Sequence, residues 1–226
     1  MADLTVERSA NILRRTARGG ALNLGGAAFS GAGGVVVTWL VAAGLGPHAA
    51  GQFFAATSAF LLALALARLG TPTGLVYWVA LTKRSGRPGA LGEVLRVALV
   101  PAMIAASVAA FALWVAAPTL GDWQDEGGDA YASALRVLAV FLPCAVAVEA
   151  LLAATRGLGR MRPSVTVDKI GRTIAQLATL ALVLAIPHSG VLAVTWAWTW
   201  PFLPAALAAL WSWRRLCADL PPVKTP

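Results

Sequence analysis

The apolar residues of this chain fall in long blocks separated by short polar stretches. A helix that crosses a bilayer needs about 20 mostly apolar residues. Six blocks are long enough: residues 21–45, 49–81, 91–117, 131–155, 165–186 and 190–213. The second carries an interruption, Gly70–Thr71–Pro72–Thr73–Gly74. The pattern predicts an all-α, polytopic membrane protein. It consists of a six-transmembrane-helix bundle over residues 21–213, a polar segment before it (1–20) and a tail after it (214–226).

Composition supports that class. Of the 226 residues 58% are hydrophobic and 12% charged, with a mean hydropathy of +0.73. A soluble domain carries about 25% charged residues, so a soluble chain of this composition would lack a polar surface. The polar first twenty residues carry Arg8, Arg14, Arg15 and Arg18. The apolar block after them is too long for the core of a cleavable signal. Cys144 and Cys217 form no CxxC pair, so neither a disulfide nor a metal site is expected. No cofactor is expected either.

A net charge of +8 would suit a nucleic-acid partner, but its placement argues for a membrane instead. With the N-terminus inside, the inner segments hold Arg8, Arg14, Arg15, Arg18, then Lys83, Arg84, Arg87, then Arg156, Arg160, Arg162, then Arg214, Arg215, Lys224. The outer segments 46–48, 118–130 and 187–189 hold no Lys or Arg, and the longest carries Asp122, Asp125, Glu126 and Asp129. This asymmetry predicts both termini in the cytoplasm. It assigns the positive charge to topology and to anionic lipid, with no nucleic acid as partner. Trp78, Trp114, Trp123, Trp211 and Trp213 sit near predicted span ends, where tryptophan anchors a helix at the interface.

Polar residues inside the spans are the candidates for function, because charge at membrane depth is costly and faces a cavity or a partner. In the first span Gly26, Ser30, Gly34 and Thr38 recur every four residues and predict a close helix–helix seam; Asn23 lies near its inner end. Arg68 directly precedes the Gly/Pro interruption. It either snorkels at a span end or lies deep beside a broken helix lining a cavity. Glu93 and Arg96 are spaced to pair, and Pro101 predicts a kink. In the fourth span Arg136 is near the outer end, and Glu149 is deeper and needs a partner. In the fifth span Asp168, Arg172, Gln176 and Thr179 share one face, with Lys169 beside it. That stripe reads as a wall of a hydrated cavity or as packing against a neighbour. The sixth span contains Trp196, Trp198, Trp200, Pro201 and Pro204, which predict a bend and either an aromatic wall or space-filling. The resulting candidate cavity residues are Arg68, Asp168, Lys169, Arg172, Gln176, Glu149 and Asn23.

No enzyme signature appears: no HExxH, P-loop or dinucleotide fingerprint. A serine hydrolase built on Ser30–Gly31 would need a general base within a span, and the histidines, His48 and His188, lie in outer loops. No catalytic residue is assigned.

Several short motifs resemble those of the polysaccharide and oligosaccharide-lipid flippases, in the multidrug/oligosaccharidyl-lipid/polysaccharide exporter superfamily. They are Leu45–Gly46–Pro47 with Gly51–Gln52–Phe53 after the first span, Leu69–Gly70 with Gly74–Leu75 and Val79–Ala80, and Arg156–Gly157–Leu158–Gly159–Arg160 after the fourth. The resemblance covers residues 23–213. It implies one lobe of a two-lobe flippase whose cationic cavity receives the pyrophosphate and sugars of a polyprenyl-linked saccharide. Arg68, Arg172 and Lys169 are candidates for that head group by position only. The family's chains have 12 to 14 spans, so this chain resembles the N-terminal lobe and calls for a second lobe or a homodimer. Two rivals stand beside it: a multidrug and toxin extrusion-type exporter, and a non-transporting membrane scaffold or truncated remnant.

Overall fold

The structure, a computed structural model, describes residues 2–86, 88–124 and 127–219, with side chains from residue 19 onward save that of Pro88. Part of the predicted charge asymmetry (Arg8, Arg14, Arg15, Arg18, Arg87, Asp125, Glu126, Lys224) lies outside the described side chains.

The described residues form eight α-helices: α1 (Ala2–Leu45), α2 (Pro47–Ala67), α3 (Thr71–Arg84), α4 (Leu91–Asp122), α5 (Gly128–Gly157), α6 (Thr173–Leu184), α7 (Val191–Thr199) and α8 (Phe202–Ala218). A π-helical segment, Ser164–Arg172, leads directly into α6. Five helical stretches are long and apolar enough to cross a membrane: Gly19–Leu45, Pro47–Arg84, Leu91–Asp122, Gly128–Gly157 and Val191–Ala218. The chain thus has the make-up of a multi-pass membrane protein. The predicted span at 165–186 is not among them. Its first part is the polar π segment, and α6 has only 12 residues, about 18 Å of α-helix. The helix before the first apolar block also begins earlier than predicted, since α1 runs without a break from Ala2.

Helix ends follow local chemistry. Gly46 at φ 77° turns the chain, and Pro47 follows as the first residue of α2, where a missing N–H costs nothing. Between α2 and α3 the backbone enters the left-handed region twice, at Leu69 (φ 48°) and Gly70 (φ 72°). Helix resumes at Thr71 with Pro72 in its first turn. The interruption read from the sequence is therefore a true break. Pro201 separates α7 from α8.

α5 is the central helix. Of its most apolar stretch 67% is buried, against 11% for α4 and 17% for α1, and it contacts α2, α3, α4, α7, α8 and the π segment. The outward faces of α1 and α4 present Leu24, Val35, Trp39, Val97, Ile104 and Phe111, a surface suited to lipid rather than water. The core divides in two. One cluster joins Val37, Phe53, Phe60, Leu138, Leu142 and Phe202; the other joins Leu75, Val79, Leu95, Leu152, Ala209 and Trp213.

Two packing expectations are corrected. The buried face of α1 is Gly26, Gly33, Val37 and Val41, while Gly34 and Thr38 are exposed. At 3.6 residues per turn a step of four overshoots by about 40°, and a step of seven falls short by about 20°, so an unbroken run of fours drifts off one face; the real seam mixes steps of seven and four. A methyl on Gly26 would lie 2.8 Å from Val165 Cγ1, one on Gly44 2.6 Å from Leu184 Cδ2, and one on Gly33 would clash with Thr173. α1 thus docks on the π segment and α6. Trp213 is a core residue at 5% exposure rather than an interfacial anchor. Trp211, two positions earlier and on the far side of the helix, is exposed and carries the Arg215 guanidinium 5.2 Å from its ring centroid.

Candidate functional site

The two cores meet where α2 breaks. Ala67 closes the first cluster and Leu75 opens the second; on α5 the change falls between Val146 and Val148. Arg68 and Glu149 occupy this seam. Arg68 Nε lies 2.8 Å from Glu149 Oε2, yet Nε makes no aligned hydrogen bond, so the contact is coulombic. Their side chains are 35% and 30% exposed. Arg68 thus stands at the junction of α2 and α3, and its charge has a partner. Glu149, which needed one, has it.

The charged groups acting on Glu149 are Arg68, Asp168, Arg172 and Arg156. Asp168 and Arg172 form the pair expected from their spacing, with Arg172 Nε donating to Asp168 Oδ1 at 2.8 Å. Arg172 also places its guanidinium carbon 5.1 Å from the Phe202 ring centroid. The result is a layer of two guanidinium groups and two carboxylates contributed by the end of α2, by α5 and by the π segment. Fully ionised, it is charge-balanced, and Arg156 acts on Glu149 from about two turns further along α5. Arg156 was read from the sequence only as part of a basic loop. It lies seven residues after Glu149, which on a helix is nearly the same face, and that spacing was the available signal.

The rest of the predicted stripe has another role. Gln176 is buried. It accepts weakly from Arg172 Nη1 at 3.4 Å and donates through Nε2 to Trp198 O at 3.0 Å. Thr179 Oγ1 lies 2.7 Å from Ala197 O and also 2.7 Å from Ala175 O in its own helix, so its one proton is shared between the two carbonyls. In a continuous helix Ala197 O would accept from the N–H of residue 201, but Pro201 has none. Gln176 and Thr179 thus satisfy carbonyls at the α7–α8 break, a structural task. Trp198 fills space with Phe53, Phe60 and Phe202, at centroid distances of 6.3, 5.8 and 5.8 Å. Trp196 and Trp200 are exposed.

Lys169 and Asn23 stand apart from the layer. The Lys169 side chain crosses α1 at Gly26, its Cδ 3.0 Å from where a Cβ would be. Asn23 lines a groove with Arg84 and Arg156. Glu93 and Arg96 are both exposed and do not form the expected ion pair. Glu93 instead borders a groove with Trp78 between α3 and α4. Arg136 lies over Trp114, 5.2 Å from the ring centroid. Ser30 is half-buried on α1, and His48 is engaged by Gln52 Nε2 at 3.0 Å.

No family model, no curated protein and no solved structure matches the chain.

Proposed function

We propose that this chain is a lobe of a membrane transporter, with six spans in the cytoplasmic membrane and both termini inside. Its substrate is a lipid-linked oligosaccharide or polysaccharide precursor, moved from the inner to the outer leaflet. The observation that carries the reading is the charged layer beside the break in α2. A charge-compensated layer that offers two guanidinium groups, partly open on its flank, suits an anionic head group, because guanidinium binds phosphate through charge-assisted hydrogen bonds. A broken helix at depth is tolerated where it lines a cavity or is buried in protein. A lone lobe does not enclose a cavity, so the reading calls for a second lobe or a second copy.

The six-span count requires the π segment and α6 to cross the membrane together, shielded by α1 and α8. The extrusion-type exporter remains the rival within transport, since Glu149 is a deep carboxylate that could couple to a cation.

The direct test is reconstitution of the chain in vesicles with a polyprenyl-diphosphate saccharide, following its arrival in the outer leaflet. Arg68→Ala and Arg172→Ala are expected to slow translocation at least about tenfold, the loss of one charge-assisted contact. Arg214→Ala, at the far end of α8, is expected to leave the rate unchanged. Equal rates for all three variants would overturn the reading.

A further inference from the structure

A second polar feature lies at the basic end of the bundle, outside the Arg68–Glu149 and Asp168–Arg172 pairs. α1, α3 and the last turn of α5 leave a groove of about 770 Å³ between them. Arg84, Arg156, Tyr77, Asn23 and Thr73 supply its polar groups; Val76 and Met161 form part of its apolar wall. Arg156 Nε is buried and has no hydrogen-bond partner among the described residues. Nearby charge is already committed elsewhere: Lys83 Nζ donates to Leu158 O at 2.8 Å, capping α5. The groove therefore combines two cationic donors, a phenol and an amide at its polar margin with an apolar wall alongside. That is the chemistry of a phosphate attached to acyl chains, and neither a free anion nor a neutral lipid uses all of it.

We infer that the Asn23–Tyr77–Arg84–Arg156 groove holds the phosphate of an anionic glycerophospholipid, with acyl chains along Val76 and Met161. Two guanidinium groups favour such a head group over a zwitterionic one near a membrane surface. The site does not depend on the transport reading, because a scaffold would hold the lipid equally well.

The test is native mass spectrometry of the full chain released from detergent, titrated with phosphatidylglycerol or phosphatidylcholine. Phosphatidylglycerol is expected to bind at least about tenfold more tightly, from two cationic contacts. Arg84→Ala and Asn23→Ala, on exposed positions that the fold does not need, are expected to reduce that preference, while Arg214→Ala is not. Arg156→Lys, which keeps the charge and loses the fork, is expected to reduce it partly. Equal retention of the two lipids, or a preference that survives Arg84→Ala and Asn23→Ala together, would overturn the proposal. So would displacement of the lipid by inorganic phosphate at matching concentration, since the acyl chains would then contribute nothing.

Discussion

Gly157 and Gly34 both stand on apolar helices but meet different surroundings. A methyl on Gly157 would lie 2.8 Å from Val79 Cβ and 3.0 Å from the Val76 carbonyl oxygen, whereas nothing lies within 4 Å of one on Gly34. Backbone does not yield as a flexible side chain does. Gly157→Ala is therefore expected to destabilise the bundle by about 1–3 kcal/mol and Gly34→Ala to be neutral or slightly favourable, measured by unfolding in detergent. At the same scale, Arg68→Ala leaves Glu149 without its 2.8 Å partner. The pair is about one third exposed, so the loss is expected near 1–2 kcal/mol rather than the larger cost of a fully buried pair. A double-mutant cycle with Glu149→Ala should return a coupling of about 1 kcal/mol, and zero coupling would dissociate the two residues. Gly34 illustrates the limit of the sequence at this scale. The spacing of four was visible, but which small residues face α6 depends on where the partner lies.

The elements carry two breaks with different remedies. At the first, Leu69 and Gly70 adopt φ 48° and 72°. An L-residue in that region costs about 1–2 kcal/mol, so Gly70→Ala should destabilise by about that much. Leu69→Gly should cost nothing or stabilise the break. At the second, Pro201 leaves Ala197 O to Thr179 Oγ1 at 2.7 Å. Thr179→Val is expected to cost about 1–3 kcal/mol through an unsatisfied carbonyl. Adding Pro201→Ala restores an N–H at residue 201 and should recover much of that loss. Additive losses would show that the threonine serves something else. Both breaks were legible, because Gly and Pro at such positions leave few alternatives. The π-helical course of Ser164–Arg172 was not, since its i→i+5 bonding is stabilised by contacts with α1, α5 and α8, while its polar and apolar residues keep the spacing of an ordinary α-helix. That course moves Lys169 onto α1 and shortens α6, which is why five stretches and not six qualify as spans by length and composition.

Across the whole molecule, the apolar blocks predicted an all-helical membrane bundle, and composition alone sufficed because hydropathy is a sum over many residues. The charged layer was partly legible: Arg68, Glu149, Asp168 and Arg172 stood out as charges in apolar surroundings, where each needs a partner. Which partner each takes depends on tertiary placement, and so does the separation of Asn23 and Lys169 from the layer. On the transport reading this layer faces a water-filled space rather than dry protein. It is tested by single cysteines at positions 68, 168 and 172, in a chain whose Cys144 and Cys217 are replaced by alanine. Intact vesicles are then treated with a charged, membrane-impermeant thiol reagent applied to the face that carries Arg84. All three positions are expected to react within about tenfold of a cysteine placed at the exposed Arg214. Uniform protection, with position 214 still reactive, would contradict a water-filled space and leave a packed scaffold in its place.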